Sequence, residues 1–204
     1  MDSDMQKLLI SAFSDKELRD VVSELFVDET VDVIEEMPAS VAKRIISQAD
    51  PQTRREINQI LAYPDDSAGS LITTEYVDLK KHITVADAFK HIKDTGPDKE
   101  TIYTAYVTDS RRKLIGVVTA KDLLLSSPEQ SIEEIMDENV IFAHTSDDKE
   151  TVIQMFDKYD FLALPVVDNE ERLVGIITVD DAIDVIQEEA TEDIEKMAAI
   201  VPSD

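Results

Sequence analysis

The sequence contains no cysteine, no tryptophan and only four glycines among its 204 residues. Without cysteine there can be no disulfide framework, no thiolate zinc site and no cysteine nucleophile. No P-loop, G-x-S-x-G or metal-hydrolase pattern is present, and glycine is too scarce for loops that cradle phosphate. These absences argue against an enzyme, so we predict a protein that is not catalytic.

Long apolar runs and positive charge are also lacking. No apolar run approaches the roughly 18 residues that a membrane-spanning helix needs, and residues 1–4 do not resemble a signal peptide. The sequence is therefore expected to be soluble and cytosolic. With 20 Lys and Arg against 45 Asp and Glu, the formal net charge is −25, which disfavours nucleic acid and anionic lipid as partners. Such a surface attracts cations, although acidity that only maintains solubility is an alternative.

The first part of the chain predicts four short helices. Ser14 and Glu17 have the spacing of a capping box, and apolar residues follow at helical intervals. Further helices are predicted to begin near Asp28, near Ser40 and at Asp50, where aspartate suits the N-cap and the next residue is proline. Helices this short are marginal alone, so we expect them to stack into an all-α superhelical domain.

An internal repeat follows a boundary near residue 63. Segment 114–123, LIGVVTAKDL, recurs as 173–182, LVGIITVDDA, so Gly116 corresponds to Gly175, 59 residues later. A strand (102–107 or 161–167) precedes each copy, and an amphipathic helix (85–92 or 152–159) precedes each strand. The order helix, strand, turn, strand, helix thus occurs twice, with an extra proline-containing stretch at 94–98 in the first copy.

The densest chemistry lies in a helix after the second copy. Eight acids and no Lys or Arg occur between Asp180 and Glu195, and five acids recur at intervals of three or four: Asp181, Asp184, Glu188, Glu192 and Glu195. This spacing aligns them on one helix face, where like charges repel. Ile183, Ile186 and Ile194 are expected on its apolar face. A solvated face is the alternative, but such faces usually contain lysine as well. The acids therefore favour a hard divalent cation such as Mg²⁺, which takes oxygen ligands and keeps several waters.

The repeated element resembles that of CBS domains, which occur in pairs. In that family the Thr and Asp of the motif often face a cleft for adenosine nucleotides. The resemblance implies nucleotide contacts at Thr119, Asp122 and Thr178, with Phe161 packing on the base. The alternative is structural, because Thr119 and Thr178 precede helices and can cap them.

The whole arrangement resembles the cytosolic part of MgtE-type magnesium transporters. The matching segments are YPDDSAGSLIT at 63–73, YDF at 159–161, TVDD at 178–181 and ATEDI at 190–194. This resemblance implies an α+β chain with a helical domain (1–62), two CBS domains (63–130 and 131–187) and an acidic connecting helix (188–204). It implies a homodimer formed through the CBS pair, and a transmembrane pore domain that follows the acidic helix and is absent from this chain. The intact protein would lie at the cytoplasmic face of the membrane.

The same resemblance implies two sets of Mg²⁺ ligands. In the first, between the helical domain and the CBS pair, Asp28 and Asp32 face Asp181 and Asp184. The second lies between the CBS pair and the connecting helix and comprises Asp148, Glu150, Asp160, Glu189, Glu192 and Asp193. For Asp28, an N-cap role is the competing interpretation. The predicted function is a Mg²⁺ sensor in which the ion holds a compact, closed state, with an ATP or AMP sensor for another partner as the alternative.

Overall fold

The computed structural model describes residues 12–200, without the side chains of 188, 189, 192, 193 and 195–200. Residues 15–60 form four helices: α1 (Asp15–Glu24), α2 (Val27–Glu35), α3 (Ala39–Gln48) and α4 (Pro51–Ile60). The predicted capping box of α1 is present, since Glu17 N donates to Ser14 Oγ at 3.3 Å and Ser14 N donates to Glu17 Oε2 at 2.8 Å. Asp50 caps α4 as expected by accepting from Gln52 N at 2.8 Å.

Two sheets with the same topology follow. The first contains β1 (Val77–Leu79), β2 (Thr104–Thr108) and β3 (Leu114–Thr119), and the second contains β4 (Ala143–His144), β5 (Ala163–Val167) and β6 (Leu173–Thr178). In each sheet the central strand pairs parallel with the first strand and antiparallel with the third. The helices of the repeats are α5 (Val85–Thr95), α6 (Ala120–Leu125), α7 (Ile132–Ile135) and α8 (Lys149–Tyr159). The predicted α+β architecture and the internal repeat are therefore confirmed.

The segment that enters each repeat crosses to the sheet of the other repeat. Thr73, ahead of β1, pairs with Ile176 of β6, and Asp137, ahead of β4, pairs with Val117 of β3. A Cβ atom added at Gly175 would lie 2.7 Å from Thr73 O and from Ile72 Cβ, and one added at Gly116 would lie 2.7 Å from Met136 Sδ. Each glycine of the repeated motif therefore permits the close approach of the crossing segment.

The last helix, α9 (Val179–Ile200), runs continuously across the predicted division between residues 187 and 188. Its buried contacts come from Ala182 and Val185, whereas Ile183, Ile186 and Ile194 are exposed. The face that packs against the rest of this chain is therefore not the one that was expected to be apolar. Among residues 12–200, no helix is long and apolar enough to cross a membrane.

The largest hydrophobic core is continuous between the helical domain and the second repeat. It includes Ile57 and Ile60 of α4, Ala68 and Ile72 of the crossing segment, and residues of α8, β5 and β6. A smaller cluster fills the first repeat around Val77, Ala105 and Ile132. The helical domain is thus packed on the second repeat, which brings α2 toward the N-terminal end of α9.

Candidate metal site at the domain interface

Asp28 places a buried carboxylate oxygen at the interface between the helical domain and the two repeats. Helix α2 begins at Val27 with Phe26 as its N-cap, so Asp28 is the second helical residue and the N-cap interpretation is wrong. Its Oδ1 is buried without a hydrogen-bond partner. Burial raises the pKa of Asp28 to about 7, and the nearby charge of Asp181 adds to the increase. A carboxylate in this position favours a proton or a cation beside it.

Asp181, in the first turn of α9, is the acid that faces Asp28. Its Oδ2 accepts a hydrogen bond from Thr178 Oγ1 at 2.6 Å and from Thr178 N at 3.1 Å, which fixes its orientation. Burial raises the pKa of Asp181 against the effect of these bonds, and the charges of Asp184 and Asp180 raise it further. Two carboxylates from different domains are therefore held near each other. The neighbouring charges that shift their pKa values, those of Glu75, Glu100, Asp180 and Asp184, are also acidic.

Two further acids, Glu75 and Glu100, join this group and were missed by the sequence analysis. Glu100 N donates to Glu75 O at 2.8 Å, which ties the two residues together. Oε2 of Glu100 is buried without a partner. Burial raises its pKa, as do the charges of Asp181, Glu29, Glu75 and Asp180. Glu100 follows the extra stretch of the first repeat, which ends in a 3₁₀ helix at Gly96–Asp98, and this insertion was the available signal. Asp28, Glu75, Glu100 and Asp181 are called the acidic interface below.

The other two predicted ligands of this set lie toward solvent. Asp32 is one turn beyond Asp28 in α2 and is exposed, with interactions of its own. Asp184 is exposed on α9 and acts on the acidic interface through its charge on Asp181. The structure therefore brings together Asp28 and Asp181, with Asp32 and Asp184 on the exposed side of each helix.

The donor set fits a hydrated hard cation. Across the side chains that the structure describes, no three carboxylate or imidazole groups are arranged to hold a metal ion among them. Mg²⁺ commonly uses only one or two carboxylates and retains several waters, so it does not require a closed cage. A cleft of about 520 Å³ reaches the acidic interface at Glu75, and its other lining residues include Arg19, Val27 and Asp50.

The second predicted set is divided along α8. Asp148 is the N-cap of α8 and accepts from Thr151 N at 3.2 Å, and Glu150 lies in the first turn. Asp160 is the C-cap, in the left-handed region with φ of 53°. At 1.5 Å per residue, Asp148 and Asp160 are about 18 Å apart along the helix, too far to share one ion. The side chains of Glu189, Glu192 and Asp193 lie outside the described residues.

Three of the four residues predicted to contact a nucleotide, Thr119, Asp122 and Thr178, form helix caps. Asp122 N donates to Thr119 Oγ1 at 3.1 Å and Thr119 N donates to Asp122 Oδ2 at 2.9 Å, and Thr178 and Asp181 repeat this box. The structural interpretation of these motifs, that each threonine caps the helix that follows it, is therefore correct.

Two aromatic residues lie close to these caps. Phe161 stacks on Tyr159 with ring centroids 5.4 Å apart and packs against the large core. Tyr103, whose carbonyl accepts from Ala120 N at 2.9 Å, is 64% exposed beside the first cap. The exposed ring next to the first motif is thus Tyr103, which the sequence analysis did not consider.

Comparison with known proteins assigns both parts of the chain. Residues 1–66 match the family described as the MgtE intracellular N domain, and residues 68–129 and 132–188 match the CBS domain. The magnesium transporter MgtE of Thermus thermophilus is 43% identical over 158 residues, which is 78% of this chain and 35% of the relative. The MgtE protein of Bacillus subtilis is 37% identical over 84% of this chain and 38% of the relative. The chain thus spans little more than a third of the length of these relatives.

Two solved structures have the same fold along most of the chain. One is the soluble part of a magnesium transporter, with a TM-score of 0.88 and 36% identity, covering 92% of this chain and 73% of that one. The other is the cytosolic domain of the Mg²⁺ channel MgtE in complex with ATP, with a TM-score of 0.86 and 36% identity. It covers 91% of this chain and 76% of that one.

Proposed function

Since the chain belongs to the MgtE family of magnesium transporters, we propose that it is a Mg²⁺-sensing regulatory module rather than an enzyme. In this proposal, Mg²⁺ lies between the helical domain and the CBS pair and favours their closed arrangement. The related proteins are named as magnesium transporters, which supports magnesium as the cation. The intact protein would place this module at the cytoplasmic face of the membrane, where closure would restrain a transmembrane pore domain.

The observation that carries the proposal is the buried, unpartnered Oδ1 of Asp28 opposite Asp181. Like charges that are partly removed from water repel strongly, so the closed state without a cation is costly. A divalent ion beside Asp28 and Asp181 offsets that repulsion, with Asp32 and Asp184 as ligands from the exposed side. Because a ligand shifts a conformational equilibrium only by its differential affinity, an ion that requires both domains selects the closed state.

We assign the second set of acids to separate ions along the groove between α8 and α9. Asp148 and Glu150 would serve one end of α8, and Asp160 the other. Glu189, Glu192 and Asp193 on α9 would complete these sites. Ions here would couple the acidic helix to the CBS pair, and so relay closure toward the pore domain.

The test is a Mg²⁺ titration of the purified chain followed by small-angle X-ray scattering. We expect the radius of gyration to fall as Mg²⁺ is added. Asp181→Asn should make the chain more compact in chelator and weaken the response to Mg²⁺, because it removes both a ligand charge and part of the repulsion that opposes closure. Asp28→Asn should leave the chain compact even in chelator and remove most of the response, because the buried charge that opposes closure is gone.

The matched control is Asp94→Asn, which neutralises an exposed acid on α5 that is not a member of the acidic interface. Its titration should overlay that of the unmodified chain. A chain that does not compact with Mg²⁺, or variants at Asp28 and Asp181 that behave like Asp94→Asn, would contradict the proposal.

Adenine-nucleotide binding is the second candidate function. It is supported by a structural relative solved in complex with ATP and by the exposed ring of Tyr103 beside the Thr119 and Asp122 cap. A base stacked on Tyr103, with its ribose near Asp122, is compatible with this surface. Phe161 and Thr178 belong to the second repeat and would serve a second, equivalent cleft. Calorimetric titration of ATP into the chain and into Tyr103→Ala tests it. Equal heats for both would exclude stacking on Tyr103.

A further inference from the structure

The hydrogen-bond partners of the backbone change at the junction between Tyr63 and Pro64. The last residues of the helical domain bond to earlier residues of the same domain. Leu61 N donates to Ile57 O at 3.0 Å, and Tyr63 N donates to Ile60 O at 2.9 Å. From Pro64 onward the backbone carbonyls accept hydrogen bonds from residues later in the chain. Three carbonyls, at positions 64, 65 and 66, accept from Ser67 N at 2.9 Å, Ser70 Oγ at 2.9 Å and Lys149 N at 2.9 Å.

The segment after this junction is part of the second repeat. Ala68 N donates to Asp147 O at 2.8 Å, and Gly69 N donates to Thr145 O at 3.0 Å. Thr73 and Ile176 exchange two backbone bonds of 2.9 and 3.0 Å. The chain between the domains is therefore not a loose linker, because its backbone is fixed on the sheet that it crosses.

The ring of Tyr63 spans the junction and lies on Gly69. A Cβ atom at Gly69 would be 2.5 to 2.9 Å from Cγ, Cδ1 and Cδ2 of Tyr63, closer than a carbon atom can approach. The backbone at Gly69 does not itself require glycine, because no glycine in residues 12–200 has a positive φ. Ring contact, and not backbone conformation, is therefore the reason for glycine here.

We propose that the Tyr63–Pro64 junction is the hinge of domain closure, and that the seat of Tyr63 on Gly69 positions the helical domain when it closes. The inference rests on the proposed closure by Mg²⁺ and adds where the movement occurs. Proline fixes its own φ and restricts the backbone conformation of Tyr63. Rotation of the helical domain relative to the second repeat is therefore limited to very few backbone torsion angles at this junction. The segment 66–73 stays with the second repeat in both states. Tyr63 and Gly69 are thus positioning residues that touch no ion.

A double-mutant cycle tests the seat, with the Mg²⁺ midpoint of compaction as the readout. Gly69→Ala should raise the midpoint by about fivefold or more, the lower end of what overpacking costs. In a Tyr63→Ala background the same substitution should have little further effect, because the ring it displaces is absent. Gly96→Ala is the control, since its Cβ would meet only side-chain methyl groups, Ile102 Cγ2 at 3.1 Å and Ile92 Cγ2 at 3.8 Å.

A purely structural role would lower the melting temperature of Gly69→Ala in chelator as well as shift its midpoint. We expect the shift in midpoint at an unchanged melting temperature in chelator. If Gly69→Ala leaves the Mg²⁺ midpoint unchanged, or shifts it equally with and without the Tyr63 ring, the proposed role of the Tyr63–Gly69 contact is wrong.

Hydrogen exchange tests the hinge independently of compaction. The amides of Ala68, Gly69 and Thr73 should be protected equally in Mg²⁺ and in chelator, because the crossing segment does not move. Protection lost in chelator at these amides would move the hinge into the CBS pair and refute the proposal. If the unmodified chain fails to compact with Mg²⁺, the sensing function fails, while the exchange result still decides whether segment 66–73 belongs to the second repeat.

Discussion

Asp28 has the least favourable electrostatic environment among the predicted ligands whose side chains the structure describes. One of its oxygens is buried without a partner, and Asp181, Glu100 and Glu75 all raise its pKa through their charge. The charge could be relieved by a cation, by a proton or by separation of the domains. Mg²⁺ and protons therefore act on the same carboxylate, and closure should depend on both.

The pH dependence of closure in chelator follows from the pKa of Asp28, which rises from 3.8 to about 7 in the closed arrangement. Because a proton binds the closed state more tightly, closure without metal is favoured at low pH and is lost as pH rises through about 7. We expect the chain in chelator to be more compact at pH 6 than at pH 8, measured by scattering. The effect of Mg²⁺ should be correspondingly smaller at pH 6.

Asp28→Asn is the variant that tests this assignment. It should reduce the pH effect but not remove it, because the pKa values of Asp181 and Glu100 are raised in the same direction. Asp94→Asn should retain the full effect. A pH response in Asp28→Asn as large as in the unmodified chain would place the titrating group elsewhere.

Among the elements, the segments that cross between the repeats depend on two glycines with different surroundings. At Gly175 an added Cβ meets backbone, Thr73 O at 2.7 Å, whereas at Gly116 its nearest neighbour is the flexible Met136 side chain. Backbone that is paired on both sides yields less readily than the end of a side chain.

Gly175→Ala should therefore cost about 1–3 kcal/mol of unfolding free energy. Gly116→Ala should cost less, and Gly96→Ala, facing one methyl group of Ile102, should cost least. Thermal melts in chelator would measure the series, and for a chain of this size each kcal/mol corresponds to roughly 2–4 °C. A loss in Gly96→Ala as large as in Gly175→Ala would refute the crossing-segment explanation.

Local signals predicted the elements better than they predicted how the elements meet. The capping signals at Ser14 and Asp50 and the 59-residue repeat identified helices and strands, because these depend on neighbours in sequence. The pairing of Thr73 with Ile176 joins residues about a hundred positions apart, and no local pattern specifies it. For the same reason the helical spacing of acids found Asp181, while Glu75 and Glu100, which reach the interface from irregular segments, were missed.

For the molecule as a whole, exposed apolar side chains occupy equivalent positions in the two repeats. Leu124, on α6 of the first repeat, is 72% exposed, and its counterpart 59 residues later, Ile183 on α9, is 44% exposed. Each of these side chains is an apolar patch at the same place in its repeat. A two-fold dimer that covers both patches would use this internal symmetry.

We predict that the chain forms a homodimer through these patches and that Leu124→Asp and Ile183→Asp each weaken it. Burying an aspartate in an apolar contact should raise the dissociation constant at least about tenfold, as measured by sedimentation equilibrium. Leu125→Asp is the matched control, since Leu125 is 78% exposed on the same short helix but its counterpart in the second repeat is Asp184. A position that already holds an acid in one repeat lies outside an apolar interface shared by both. Dissociation by Leu125→Asp as strong as by Leu124→Asp would show that the dimer does not follow the internal repeat.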